Sequence, residues 1–331
     1  MTPPSASEIQ AGVVGLYERH PFPSIADKRA KVAREMGMRL YFLGIRPEDY
    51  VGRRVLDAGC GTGEYSCWYG SQGADVTGVD LCEASLARAT EYARTRQPGR
   101  VRFEKQSVLA LAFPDATFDY VYSMGVLHHT PDPYRGFREL CRVLRPGGVL
   151  VVSVYNAFSR LPHNAKQRLV WRLAGEDPDR RVAWARRLFP RTCRALERNR
   201  GDGSDVLLYD AFAIPHESRH SVGELLGWFD RNDIGYLGAF GPLTVRDNLL
   251  ALRLLGHGPF GSFTGFFDGF PLASWAIATL PRVAGRPAAP DPRTRAVFHR
   301  PSRLSRGLVQ LVWTLLGFRF SIFSLSGRRR G

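Results

Sequence analysis

The 331-residue chain is short of several things, and each shortage narrows what it can be. No stretch reaches 18 uninterrupted apolar residues, so no membrane-spanning helix is expected. The first residues include Glu8, Glu18 and Arg19 and no apolar core of secretory type, so no export signal is expected either. The five cysteines (Cys60, Cys67, Cys82, Cys141 and Cys193) are odd in number and form no C-x-x-C pair. They support neither a disulfide framework nor a thiolate zinc site, and a reducing cytoplasm suits them best. No internal repeat is present. Acidic residues are scarce at one end: residues 286–331 hold 10 Lys/Arg against 1 Asp/Glu, whereas residues 1–152 hold 19 against 17. Most of the net charge of +15 therefore sits in the tail, and a polyanionic partner would meet that tail rather than the nearly neutral first half. With 44% hydrophobic residues, disorder throughout is excluded.

What is present is a regular alternation. Short apolar runs at Arg54–Asp57, Asp75–Val79, Val101–Glu104, Phe118–Tyr122 and Val149–Val154 are separated by segments with helical spacing, notably Glu83–Arg96 and Tyr134–Leu144. Pro146-Gly147-Gly148 ends the second helix and turns the chain into the next strand. This pattern predicts an α/β fold with a doubly wound, mostly parallel sheet over residues 51–156. Residues 1–50 precede it as an arm. Residues 157–205 are Arg-rich, with Trp171, Leu173, Trp184, Leu188 and Leu196 in a helical rhythm, and read as a helical insertion. Over 206–255 the sheet ends: Ser221 and Glu224 have capping-box spacing for a helix through Phe229, and Ile234–Phe240 reads as a late strand. Residues 256–331 read as a C-terminal extension, rich in Gly and Phe over 256–270 and apolar over Leu304–Leu325.

The densest chemistry lies in Val55-Leu56-Asp57-Ala58-Gly59-Cys60-Gly61-Thr62-Gly63, a strand entering a glycine turn and then a helix. Glycines at 59, 61 and 63 let a ligand approach the backbone, and Asp80, at the end of the second strand, is placed to accept hydrogen bonds from two ribose hydroxyls. A dinucleotide would rest its pyrophosphate on the helix N-terminus, but Glu64 stands there and the later glycine of G-x-G-x-x-G is missing. Asp57 adds further negative charge. An adenosine ligand carrying an ammonium and a sulfonium fits better, and S-adenosylmethionine has both.

The V-L-D-A-G-C-G-T-G run, T-G-V-D at 77–80, F-D-Y-V at 118–121, G-V-L-H-H at 125–129 and L-R-P-G-G at 144–148 together resemble the class I S-adenosylmethionine-dependent methyltransferases in order and spacing. The resemblance runs over about residues 51–154. It implies a seven-stranded Rossmann-like sheet, here with the helical insertion and a C-terminal helical extension. It also implies S-adenosyl-L-methionine as methyl donor, with Asp57, Gly59, Cys60, Gly61 and Gly63 around the methionine part. Asp80 and Leu81 would hold the ribose and the adenine edge, and Met124 with Gly125 would lie under the cofactor. Family members usually carry an acidic residue after the third strand for the adenine amino group. This chain has Gln106-Ser107-Val108 instead, leaving Ser107 as a neutral acceptor.

Enzymes of this superfamily that methylate nucleobase or glutamine nitrogens usually place an Asn/Asp-Pro-Pro-aromatic turn after the fourth strand. Ser123-Met124-Gly125-Val126-Leu127-His128-His129 resembles instead the branch with small-molecule and lipid acceptors, and argues against nucleic acid. His128, just beyond that strand, is the leading general-base candidate, with a packing histidine as the alternative; His129 reads as structural. Tyr17-Glu18-Arg19-His20-Pro21-Phe22-Pro23-Ser24 is either a lid that closes Tyr17 and His20 over the sulfonium or an arm packed on the surface. One of Asp210, His216 and Arg219 is expected to contact the acceptor. His216 and His220 are four residues apart without a third ligand, so no metal is expected. The apolar, basic C-terminal stretch suits an interfacial helix on anionic lipid, or a helix covering the sheet or a partner. The functional expectation is methyl transfer to a small-molecule or lipid-like acceptor, in the cytoplasm and peripherally at the inner face of a membrane. Methylation of RNA or protein, and an inactive binding platform, are the alternatives.

Overall fold

The computed structural model describes residues 4–22, 29–200, 205–241, 243–244, 246–247, 298–315 and 322–331. The Gly/Phe-rich stretch 256–270 and Pro23-Ser24 lie outside the described residues.

At the centre is one sheet of seven strands: β1 (Arg54–Ala58), β2 (Asp75–Asp80), β3 (Val101–Lys105), β4 (Phe118–Met124), β5 (Leu144–Tyr155), β6 (Ile234–Phe240) and β7 (Ile322–Arg329). Their order is β3-β2-β1-β4-β5-β7-β6, and only β7 runs against the rest. The order reverses between β1 and β4. Side-by-side parallel strands of this kind leave a crevice beyond their carboxyl ends, where the loops after β1 and β4 part.

The helices between strands are α3 (Glu64–Ser71), α4 (Glu83–Arg96), α5 (Pro133–Val143) and α10 (Val222–Arg231). Their starts follow from local chemistry. Asp132 accepts the N–H of Arg135 ahead of Pro133, and Ser221 accepts the N–H of Glu224. On one sheet face Leu56, Val121, Val152 and Leu325 pack against Phe137, Leu140 and Phe229. On the other, Val55, Val76, Tyr122 and Val151 pack against Leu40, Leu43, Tyr50 and Tyr69. Leu40 belongs to α2 (Arg29–Phe42), which follows α1 (Ala6–Arg19).

The described part of the 157–205 segment forms helices α6 (Leu161–Ala174), α7 (Pro178–Leu188) and α8 (Pro190–Arg200). With α9 (Val206–Phe212) they enclose their own small core of Val170, Val182, Ala185, Leu208 and Phe212. The apolar rhythm of this segment had somewhere to go, and it was not the sheet.

The expected C-terminal helical extension needs correction. A helix does form, α11 (Arg303–Leu315), but Ile322–Arg329 is β7, inserted between β5 and β6. The reason is a period of two in Phe323-Ser324-Leu325-Ser326. Phe323 and Leu325 are fully buried on one face, while Ser324 meets Ser153 at 2.6 Å and the Ser326 hydroxyl donates to Leu43 O at 2.7 Å. The arginines that follow are not a free basic end either. Arg328 Nη1 donates to Gly147 O at 2.7 Å and Arg329 Nη1 to Cys141 O at 2.9 Å.

Candidate active site

A cavity of about 470 Å³ opens at the crevice beyond β1 and β4. Of the residues expected around a cofactor, Asp57, Gly59, Cys60, Gly61, Asp80, Leu81, Ser107, Val108 and Met124 all line it. Gly63 does not. A Cβ there would sit 2.8 Å from both Ala89 Cβ and Phe103 Cζ, so Gly63 serves to bring α3 down onto α4 and β3. Gly59 has φ +88°, and a Cβ on it would fall 2.1 Å from Val126 Cγ2; its bareness lets the loops after β1 and β4 touch. Gly61, at φ +52°, faces open space.

The carboxylates of this region are held in place. Asp80 Oδ2 accepts the N–H of Gly61 and Oδ1 that of Cys82, each at 2.9 Å, while burial raises its pKa above the usual 3.8. Asp57 is 2% exposed and accepts Ser66 Oγ at 2.6 Å. Burial pushes its pKa up to about 6, and the neighbouring charges of Asp80 and Glu64 act in the same direction against the Ser66 bond. A buried carboxylate that ionises this reluctantly favours a cation beside it.

The opposite wall comes from parts of the chain far apart in sequence. Tyr17, on α1, donates to Asp210 Oδ1 at 2.7 Å, and Tyr155, at the end of β5, donates to Asp210 Oδ2 at 2.8 Å. His129 Nε2 lies 3.6 Å from Asp210 Oδ1, and its Nδ1 is 3.2 Å from His216 O. Burial and the Asp210 charge raise both phenols well above the usual tyrosine range, so they remain donors. His128 stacks on Tyr155 at 3.8 Å between ring centroids, and Ser218 N–H fixes its carbonyl at 2.7 Å. Neither of its ring nitrogens meets a partner among the described residues, although the side chain is 1% exposed. Burial, assisted by the charges of His129, Arg160 and His220, lowers its pKa well below the ordinary histidine value and leaves the ring neutral.

Of the two residues that a lid would close over the cavity, Tyr17 lines it and His20 does not. Tyr17 and Phe22 line the cavity, and His20 stacks on Tyr209 at 3.6 Å. Glu18 accepts the N–H groups of Glu83 and Ala84 at 2.5 and 3.2 Å, capping α4, whose own N-cap residue Cys82 supplies no side-chain bond. Arg88 completes the clasp by donating to Phe22 O at 2.8 Å. Of the three acceptor-side candidates, Asp210 reaches the cavity; Arg219 is instead paired with Glu217 at 2.8 Å, and His216 serves through its carbonyl. Sequence reasoning missed Glu18 and the centrality of Asp210 to the two phenols; nothing in the spacing from 17 to 210 could have signalled either.

Comparison with known proteins agrees with this geometry. The methyltransferase domain family matches residues 56–152. An uncharacterised protein of Synechococcus is 32% identical over 221 residues, 61% of this chain and 51% of that protein. The 27-O-demethylrifamycin SV methyltransferase of Amycolatopsis mediterranei is 40% identical over 104 residues, 31% of this chain and 38% of the relative. The ubiquinone biosynthesis O-methyltransferase of Paracidovorax citrulli is 40% identical over 106 residues, 32% of this chain and 44% of the relative. The chain thus spans about half the length, or less, of the curated relatives it matches. The strand order, the glycine turn after β1 and the matched segment converge on one conclusion: residues 56–152 are a class I S-adenosylmethionine-dependent methyltransferase domain, with S-adenosylmethionine as its methyl donor.

Proposed function

We propose that the chain methylates a hydroxyl oxygen of a small, uncharged and largely apolar acceptor. One observation carries the reading. The cavity wall includes Asp57, Glu64, Asp80 and Asp210 and no Lys or Arg among the described residues, while Val13, Val14, Phe22, Leu207 and Ile322 supply apolar surface. An anionic acceptor would find no counter-charge there, and a neutral apolar one would lose water at a gain. Two of the relatives carry names that point to oxygen, a ubiquinone biosynthesis O-methyltransferase and a 27-O-demethylrifamycin SV methyltransferase, which supports oxygen as the nucleophile.

The residues fit the methyl donor: Asp57 and the Gly59–Gly61 turn would hold its methionine part, Asp80 and Leu81 its ribose, and Ser107 with Val108 its adenine. When bound, S-adenosylmethionine supplies an electrophilic methyl group. The chain then has to orient the acceptor, remove its proton and exclude water. His128 is suited to the proton. It lines the cavity, it is braced by Tyr155, and its ring nitrogens have no hydrogen-bond partner among the described residues. Tyr17, held by Asp210, closes the cavity from above.

Label transfer from S-adenosylmethionine to a panel of phenols and alcohols, compared with carboxylic acids and phosphate esters of the same size, tests the reading. Neutral hydroxyl acceptors should take up label, and His128→Gln should lower turnover by roughly a hundredfold or more without weakening donor binding. Preference for the charged acceptors would overturn it.

A further inference from the structure

The cap built by α6 to α9 carries charge and apolar surface that the cavity does not use. Residues 157–200 hold twelve Lys/Arg against four Asp/Glu, more than half of the net +15 of the chain. Along the outer face of α6, Leu161, Leu169 and Leu173 are 53, 44 and 43% exposed, with Phe158 at 40% just before the helix. Spaced by eight and four residues, the leucines share a face, and the exposed Arg168 and Arg172 fall on that face too. Among the described residues neither arginine meets a carboxylate. The inner face of α6 is fully engaged: Gln167 Nε2 donates to Ala211 O at 3.1 Å and Trp171 Nε1 to Phe212 O at 2.6 Å, both on α9. Leu207 and Asp210 of α9 line the cavity. Two packed helices, α6 and α9, therefore lie between the exposed leucine face and the cavity, with axes about 10 Å apart.

We propose that this face of α6 docks on an anionic membrane, with Phe158 and the three leucines in the interfacial region and Arg168 and Arg172 on lipid phosphates. Leucines interspersed with unpaired arginines match such a surface in both properties at once, whereas a protein partner would need acidic residues placed against each arginine. No helix of the described residues is long and apolar enough to cross a membrane, so contact is in the plane of the interface. The inference rests on the apolar acceptor proposed above: docking on lipid would hold the cavity close to where such a molecule partitions. It also moves the membrane contact from the C-terminal stretch, whose last strand is committed to the sheet, to the cap.

The test is co-sedimentation of the full chain with vesicles of phosphatidylcholine alone or mixed with phosphatidylglycerol, at about 0.1 M salt. Binding should appear only with the anionic lipid. Leu169→Glu combined with Leu173→Glu should abolish it, and Arg168→Ala combined with Arg172→Ala should weaken it roughly thirtyfold, as expected for two cations at an anionic surface. Both double variants should retain donor affinity by calorimetry, which separates lost docking from lost folding. No binding to anionic vesicles would overturn the proposal. So would binding that disappears with Leu304→Glu and Leu308→Glu on α11 but survives the α6 changes. A dimer in sedimentation velocity that Leu169→Glu and Leu173→Glu convert to monomer would make the face an interface between copies instead. Because vesicle binding is read without any acceptor, failure of the acceptor reading leaves this result standing, and the reverse also holds.

Discussion

The two walls of the cavity are built in opposite ways. The proposed donor wall, from Asp57 to Asp80, comes from a single strand-helix-strand unit whose parts are adjacent in sequence, and it includes the bare turn at Gly59 and Gly61. The proposed acceptor wall gathers Tyr17, His128, Tyr155 and Asp210 from four elements, and its contacts run through side-chain oxygens and rings. A wall that turns on a glycine packed against the neighbouring loop tolerates almost no change there. One made of side chains can be altered residue by residue to suit a different acceptor while donor binding is preserved.

That contrast can be broken or sharpened experimentally. The largest effect is expected at Gly59→Ala. A Cβ at φ +88° and 2.1 Å from Val126 forces the two loops apart, at a cost of about 3 kcal/mol or more, and donor binding should fall at least a hundredfold by calorimetry. Retained binding would show that the backbone of that loop is not a wall at all.

Asp57 gives the next effect, with a sign that follows from its raised pKa of about 6. The folded pKa lies above the unfolded value of about 3.9, so its contribution to stability is complete below that value and is lost as pH rises through about 6. In the ligand-free chain Asp57→Asn should therefore raise stability above pH 6 by up to about 3 kcal/mol, read as a higher Tm. For a cationic ligand the sign is opposite. Donor affinity should weaken up to tenfold per pH unit below about 6, and Asp57→Asn should abolish that slope while costing about ten- to a hundredfold in affinity at pH 7.5. A pH-independent affinity in the unaltered chain would place the cationic groups elsewhere.

Tyr17→Phe removes one donor from Asp210 but keeps the ring in the cavity. Turnover should fall about tenfold with donor affinity changed less than threefold, since the lost bond belongs to the acceptor wall. The reverse split would merge the two walls into one. Smallest is Ser326→Ala, which leaves the carbonyls of Leu43 and Gly238 short of a buried hydroxyl; it should lower stability by about 1–2 kcal/mol in urea melts with kinetics intact.

The donor wall was legible in the sequence because its residues are contiguous: spacing alone placed Asp57, Gly59, Gly61 and Asp80 around one crevice, and Glu83–Arg96 and Ile234–Phe240 emerged with the expected bounds. Gly63 is held by close packing on Ala89 and Phe103, and a glycine needed for packing and one needed for a ligand look alike in a motif. The clasp of Glu18 on α4 and the convergence of two phenols on Asp210 depend on long-range folding, to which no local pattern corresponds. The tail misled for a different reason. Composition made it basic and apolar, but the alternation that marks a strand covers only four residues, Phe323 to Ser326, beside a longer helical run.

The position of β7 also bears on how the polypeptide is made. Because β5 and β6 never touch, a nascent chain that has emerged from the ribosome as far as Phe240 still has an open edge along Val149–Tyr155 of β5, the stretch that β7 later covers. Until residues 322–329 are translated, that edge offers unpaired amides to any passing strand, and β6 has nothing to bind. Chaperone occupancy during synthesis should therefore persist until those codons are read, and release of the polypeptide before them should yield insoluble product rather than a smaller folded enzyme.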